Sequence, residues 1–329
     1  MRNIVKAEVL WTRKCPLHCH YCSMATQEAN SYPIELWKEG LLQLRKLDCK
    51  FIAIYGAEPT ADFDNLCEFV KTASLMGFDM TLITSGQGGN IPEKLKLLYE
   101  AGLRSLTMSY DIVPLDPSSA IKSSKALKTL NYFGSLGPVD NLAICTTLTR
   151  KNYTKLYDSF KVLAELGYWT FFDIIHHDRG QEGSKVKGRD EELMFTEDDI
   201  LPLITQLQLL KTNRDRLKIH ASDGFLDYLC NNPELFLTYD WNCANSRSFP
   251  SWVTIDCDGQ VYPCDDFQPK SIGVPFHQIA DRWETFQDAW RTKVSIDCPG
   301  CIWNTHIDAN LIKEGAVSIN QYIHKDNGR

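Results

Sequence analysis

Three stretches of this chain repeat one local pattern. LMGFDMTLIT at 75–84, EAGLRSLTMS at 100–109 and ELGYWTFFDI at 165–174 each carry a helix-like end, a glycine and then an apolar run. A glycine just past a helix accepts the left-handed conformation that closes it, so each instance marks a return from helix to strand. Around them, from residue 4 to about 176, short apolar runs alternate with helical periodicity. That alternation is the pattern of βα units around a parallel sheet. The first strand is expected over 4–11 and the second over 51–55. Between them a helix over 33–47 places Ile34, Trp37, Leu41 and Leu44 at helical spacing, with Pro33 suited to its first turn. Strands over 142–148 and 169–176 bring the tally to about six βα units, too few for a closed eight-stranded barrel. The fold class expected is therefore α/β: a partial (β/α)6 barrel of the TIM type, followed by a small cysteine-rich α+β domain. The boundary is expected near residue 215, giving domains at 1–214 and 215–329.

Between strand six and a helix expected over 197–210 lies DRGQEGSKVKGRDEE, residues 178–192. It reads as a solvated loop, or as a lid whose Arg179, Lys185, Lys187 and Arg189 meet an anionic group. The remaining composition narrows the function. With 43% apolar residues the 329-residue chain fills a real core. No apolar run approaches the ~20 residues of a membrane-spanning helix, and the opening MRNIVKAEVLW lacks a signal-peptide pattern. The cytoplasm is the expected compartment. A formal net charge of -7 argues against a protein that holds bulk nucleic acid, which leaves small molecules or peptides as substrates.

Twelve cysteines in such a chain read as metal or redox ligands. Cys49, Cys67, Cys145 and Cys230 stand alone and behave as small apolar residues. Cys15, Cys19 and Cys22 fall in WTRKCPLHCHYCSM, directly after the first expected strand. Pro16 and the short spacing disfavour a regular helix through all three, so this loop can wrap one compact inorganic object. Three thiolates on a [4Fe-4S] cubane leave one iron without a protein ligand, and an open metal position is where chemistry occurs. A structural zinc with His18 or His20 as fourth ligand fits the spacing too. In the last quarter, WVTIDCDGQVYPC at 252–264 reads as a β-hairpin with Asp258-Gly259 as its two-residue turn. Cys243 lies upstream, and CPGC places Cys298 and Cys301 beyond a helix-like segment at 279–291. Four thiolates in two separated pairs can close a complete site, for which a zinc ribbon is one reading.

CxxxCxxC after the first strand of a βα series, with Tyr21 before the last cysteine, resembles the signature of the radical S-adenosylmethionine (SAM) enzymes. The resemblance implies that Cys15, Cys19 and Cys22 hold a [4Fe-4S] cluster whose open iron chelates SAM. Its reduction yields a 5′-deoxyadenosyl radical that takes hydrogen from the substrate. YGAEPT at 55–60 resembles the GGEP motif of that family, with Ala57 in place of its second glycine. Gly56, Ala57, Glu58, Pro59, Thr84, Ser85, Ser109 and Asp111 then occupy strand-end positions that line the SAM and substrate cavity, together with Tyr21. The C-terminal layout resembles the auxiliary-cluster domains called SPASM and twitch. It implies one auxiliary [4Fe-4S] cluster on Cys243, Cys264, Cys298 and Cys301, with Cys257 either replacing one of these or simply occupying the hairpin.

Candidate catalytic residues are Tyr110, beside Ser109, and His177 or Asp178 at the end of strand six, where His176 is an alternative to His177. The first functional reading is a radical SAM enzyme that dehydrogenates, epimerises or rearranges a small polar molecule. The second is a maturase of a ribosomally made peptide, ranked lower because the chain reaches its first strand at once, without room for a peptide-recognition domain. A modified-nucleotide enzyme and a non-catalytic zinc-binding interaction protein follow. The enzyme readings imply a flavodoxin or ferredoxin as electron donor.

Overall fold

Lys6–Leu10 forms β1, whose alternate residues face opposite ways: Ala7 and Val9 are fully buried under the helices, while Lys6 and Glu8 face the other side. The computed structural model describes residues 4–22, 24, 32–176, 190–243, 252–264, 266–268, 270–298 and 300–318. Five more strands follow, each after a helix: β2 (Phe51–Tyr55), β3 (Asp79–Thr84), β4 (Ser105–Ser109), β5 (Asn141–Leu148) and β6 (Trp169–Ile174). The covering helices are α1 (Ile34–Lys46), α2 (Phe63–Leu75), α3 (Ile91–Glu100), α4 (Pro117–Ser135) and α5 (Leu156–Glu165). All five neighbouring pairs from β1 to β6 are parallel and run in chain order, as βα crossovers require. The sheet does not close on itself. The expected partial barrel is present.

Its two faces differ in chemistry. Toward the helices lie Ile54, Leu82, Leu106, Ile144 and Phe172, all fully buried. Trp11, Trp37 and Phe69 add an aromatic cluster with ring centroids 5.1 to 5.6 Å apart. The inner face mixes Glu8, Thr81, Thr107, Thr147 and Asp173 with Ala53, Ile83 and Phe171. A closed barrel packs branched apolar side chains there. Here short polar ones are interspersed, and this lumen stays open.

The C-terminal hairpin extends the same sheet. β7 (Trp252–Ile255) pairs in parallel with β1, Trp252 opposite Lys6, and β8 (Gln260–Tyr262) and β9 (Val274–Pro275) continue antiparallel. The hairpin turn is longer than the two residues expected. Asp256 N–H donates to the Gln260 carbonyl at 2.9 Å, and Gly259 N–H donates to the Asp256 carbonyl at 2.8 Å. This leaves a three-residue loop with Gly259 at φ +75°. A Cβ at Gly259 would lie 2.3 Å from the Tyr32 ring. The ladder stops at Asp256 because its carboxylate turns to Arg13 and to the Cys257 N–H.

Helices α6 (Glu197–Thr212), α7 (Asp223–Asn231) and α8 (Leu235–Thr238) follow β6, while α9 (Trp283–Asp297) and α10 (Asn304–Lys313) flank the CPGC cysteines. α7 and α10 meet through a buried carboxylate. Ser222 caps α7, its Oγ accepting from Phe225 N–H at 3.0 Å, and its own N–H donates to Asp308 on α10 at 3.2 Å. Burial pushes Asp308 up to about 7 from its ordinary 3.8. The native state therefore keeps this proton where the unfolded chain has lost it. Stability from this site is complete below pH ~4 and falls by at most ~1.4 kcal/mol per unit as pH rises toward 7. Urea titrations at pH 4.5 and 7 should show a smaller difference for Asp308→Asn than for the natural chain; equal differences would clear Asp308 of the effect. Among the described residues, no helix is long and apolar enough to cross a membrane.

Candidate active site

The three-cysteine loop leaves β1 stitched to the end of β2. Trp11 N–H donates to the Tyr55 carbonyl at 2.7 Å, Ala57 N–H to Thr12 at 2.9 Å and Glu58 N–H to Lys14 at 2.9 Å. Gly56 makes this approach possible. Its φ is +141°, and a Cβ there would lie 2.6 Å from the Thr12 carbonyl oxygen. Ala57 has no positive φ, so a methyl group is tolerated. Beyond this stitching, Cys22 N–H donates to the Cys19 carbonyl at 3.0 Å and Leu17 N–H to the Cys15 Sγ at 3.4 Å.

Cys15 and Cys19 are half-buried and Cys22 is exposed. Burial pushes the Cys15 and Cys19 thiols up to about 11, so they become thiolates only beside a cationic partner, as metal ligation supplies. Among the described residues, no three His, Cys, Asp or Glu side chains converge on a position for a single ion. Nor is His20 a spare fourth ligand: its Nδ1 meets Asp116 at 2.9 Å and its Nε2 meets Asp190 at 3.1 Å. The donor set and its spacing fit a body larger than one ion.

Glu58 joins two of the strand-end motifs. It is fully buried, and Thr60 Oγ1 and Thr84 Oγ1 both donate to its Oε1 at 2.6 Å. Ser85 donates to Oε2 from its N–H at 2.9 Å and from its Oγ at 2.5 Å. The carboxylate thus locks the ends of β2 and β3 together, with Pro59 buried beside it. A third strand end contributes Asp111. It is buried at 1% exposure, accepts from Tyr21 at 2.8 Å and Ser119 Oγ at 2.6 Å, and pairs with Lys122 Nζ at 2.7 Å. Lys122 also donates to the Tyr21 oxygen at 2.5 Å. Burial and the Asp111 carboxylate push the Tyr21 phenol well above its usual range. Lys122 was not visible as a site residue in the sequence. Its one signal is a lysine in register with Ser119 and Ala126, both buried, on one face of α4.

A cavity of about 430 Å³ occupies the lumen. Tyr21, Cys22 and Met24 line it, and so do Asp79, Ser105 and Asn141 at the starts of three strands. Ser109 ends β4 half-buried. Tyr110 donates its N–H to Cys145 at 2.8 Å and packs half-buried on the core, and it is not among the lining residues. His177 and Asp178, like Arg179, Lys185, Lys187 and Arg189, lie outside the described residues.

Cys243, Cys264, Cys298 and Cys301 line one small second cavity. The Cys301 N–H donates to the Trp241 carbonyl at 2.9 Å, drawing the CPGC turn against the segment that carries Cys243. Gly300, at φ +95°, lies where a Cβ would be 2.5 Å from the Asp240 backbone. Burial pushes the Cys243 and Cys301 thiols up. Four such donors around one cavity, without converging on a single-ion position, fit a body larger than one ion. Cys257 is not among them; it sits buried in the hairpin turn with its N–H on Asp256 at 2.6 Å. Asp266 and His306 line both this cavity and the lumen, so a single layer of side chains separates the two. Trp303 belongs to the same wall, its indole N–H donating to Asp266.

The family profile described as the Radical SAM superfamily matches residues 9–137. Over 103 residues the chain is 37% identical to a PqqA peptide cyclase of Methylobacterium nodulans, a match covering 30% of this chain and 26% of that protein. A PqqA peptide cyclase of Rhizobium meliloti is 35% identical over 112 residues, 33% of this chain and 29% of the relative. The matched stretches thus span less than a third of either relative. Among solved structures, Streptococcus suis SuiB bound to the precursor peptide SuiA superposes with a TM-score of 0.64 at 16% identity, covering 99% of this chain and 76% of SuiB. Native anSMEcpe with bound AdoMet and a Cp18Cys peptide gives 0.61 at 15% identity, covering 96% and 98%. At these identities the superpositions speak for the fold.

Proposed function

We propose, from the match of residues 9–137 to the radical SAM superfamily, a radical SAM enzyme that modifies a residue of a peptide substrate. Cys15, Cys19 and Cys22 would hold a [4Fe-4S] cluster. The backbone of Gly56 to Pro59, the ends of β3 and β4 at Thr84, Ser85 and Ser109, and the Tyr21–Asp111 pair would shape the SAM pocket beside it. When bound and reduced, that cluster supplies the electron that cleaves SAM and starts hydrogen abstraction. Cys243, Cys264, Cys298 and Cys301 would hold one auxiliary [4Fe-4S] cluster. Residues 1–214 would then be the catalytic barrel and 215–329 the auxiliary-cluster region, whose hairpin shares the barrel's sheet.

The observation that carries this reading is the lumen itself. It is open, bordered by Cys22, and separated from the four-cysteine cavity by one layer containing Asp266 and His306. A substrate group in it would sit between the two cysteine sites. The sequence ranks a small polar substrate first. The peptide reading takes precedence because the matching relatives are named peptide cyclases and SuiB is seen with a precursor peptide. Where the chain begins says nothing of a peptide-recognition domain. A flavodoxin or ferredoxin would deliver the electron.

After anaerobic reconstitution, iron analysis should find ~8 irons per chain, two cubanes. Cys298→Ala and Cys301→Ala should remove about half of that iron and spare SAM cleavage more than product formation. Zinc without iron would overturn the enzyme reading. Mass spectrometry of short peptides encoded beside the gene, co-expressed with the enzyme, should show a modified residue. Turnover of a small metabolite with every peptide unchanged would return the small-molecule reading to first place.

A further inference from the structure

His176 is placed as few histidines are. Its Nδ1 lies 3.2 Å from the Asp266 carboxylate, and its ring lies against Trp303 with centroids 3.9 Å apart. Tyr239 closes a third side edge-on at 5.7 Å. Asp266 also accepts the Trp303 indole N–H, so the carboxylate is fixed and the imidazole cannot turn away from it. A proton on Nδ1 directed at a carboxylate leaves Nε2 as an acceptor. That atom is buried, the side chain being 6% exposed, and has no hydrogen-bond partner among the described residues. It belongs to a residue that lines the lumen.

Asp173 stands three residues earlier on β6, on the inner face and lining the same cavity. Its hydrogen-bond partner is the Cys145 thiol at 3.6 Å, a weak donor. Lys6 offsets its charge only in part. Lys6 is committed to Glu8 at 2.7 Å and to Thr305 at 3.4 Å, and Glu8 adds its own negative charge to the neighbourhood of Asp173. Burial first, then Glu8, pushes Asp173 up to about 6.

We propose that this part of the lumen, between Asp173 and the Nε2 of His176, binds a cationic donor group of the substrate, the ammonium or guanidinium of a basic side chain. A carboxylate met by a weak thiol donor and an imidazole nitrogen with no hydrogen-bond partner among the described residues define the complement. Ammonium and guanidinium groups carry several N–H donors, no acceptor and a positive charge, whereas a hydroxyl or carboxylate would bring further lone pairs to the site. Ile83 on β3 and Ala53 on β2 line the same lumen and offer apolar surface to an aliphatic stem. The geometry stands without the peptide reading; only the assignment of the cation to a lysyl or arginyl residue rests on that reading.

The test uses n-butylammonium as probe and n-butanol as its neutral counterpart, titrated by ligand-observed NMR into the reconstituted enzyme with SAM. Butylammonium should bind, butanol should bind at least tenfold more weakly, and Asp173→Asn should weaken butylammonium at least tenfold. His176→Gln is the second variant should Asp173→Asn not fold, with a severalfold loss expected. Absence of butylammonium binding to the natural chain, equal binding of butanol, or unchanged binding in the folded variants would overturn the proposal. Release of 5′-deoxyadenosine is followed in the same samples. Cleavage of SAM without cation binding sinks the cation site alone, and cation binding with no peptide ever modified sinks the peptide reading alone.

Discussion

Alanine at Cys15, Cys19 or Cys22 is expected to reduce reductive cleavage of SAM to the background rate. The three thiols share one loop held against the end of β2 by the Ala57 and Glu58 N–H groups. Among the described residues no further His, Cys, Asp or Glu converges with them on an ion position that could replace a lost ligand. His20 in particular is held by Asp116 and Asp190. Each cysteine is therefore indispensable to a three-thiolate cluster. The measurement is 5′-deoxyadenosine released with dithionite as reductant. Cys67→Ala, a change on the half-buried face of α2, serves as the cysteine control and should keep its rate. Undiminished release by the loop variants would refute the ligand assignment.

The second large effect is expected on stability. Arg13, two residues before Cys15, is 4% exposed and paired through its guanidinium with the carboxylate of Asp256, also 4% exposed. The pair ties the cluster loop to the turn between β7 and β8, across 243 residues of chain. Asp256→Ala leaves a buried guanidinium without its counter-charge, a change of ~3–5 kcal/mol. It also strips the Cys257 N–H of its acceptor. We expect a lowered unfolding midpoint in denaturant and poorer retention of iron, since the Arg13 segment leads directly into the proposed ligands. The double replacement Arg13→Met with Asp256→Leu should recover most of the stability, because neutral side chains need no counter-charge. A double variant as unstable as Asp256→Ala would show that packing, and not the unpaired charge, sets the loss.

Much of this architecture is legible along the chain because its causes are local. Glycine after a helix end marked the entry to β3, β4 and β6, and Gly77, Gly102 and Gly167 all adopt positive φ. The cysteine spacings single out both proposed donor sets, since three residues in eight and a CxxC turn are short-range facts. The limits of these readings were also local. Asp258-Gly259 reads as a tight turn by composition alone, whereas the ladder closes one residue earlier, where Asp256 meets an arginine far away in sequence.

The sequence by itself determined the order of βα units, the three-thiol loop and the four C-terminal thiols, because periodicity and spacing act over a few residues. Only the tertiary structure decided which groups meet. It set β7 beside β1, separated Cys257 from the four cysteines that share a cavity, and brought Lys122 onto Asp111 and Tyr21. It also placed Asp266 against His176, 90 residues away, leaving the buried Nε2 of a lumen-lining residue without a hydrogen-bond partner among the described residues. Such meetings depend on strand order and on which face each strand buries. A one-residue change of register would turn Asp173 from the cavity into the helix layer without altering a single letter of its surroundings.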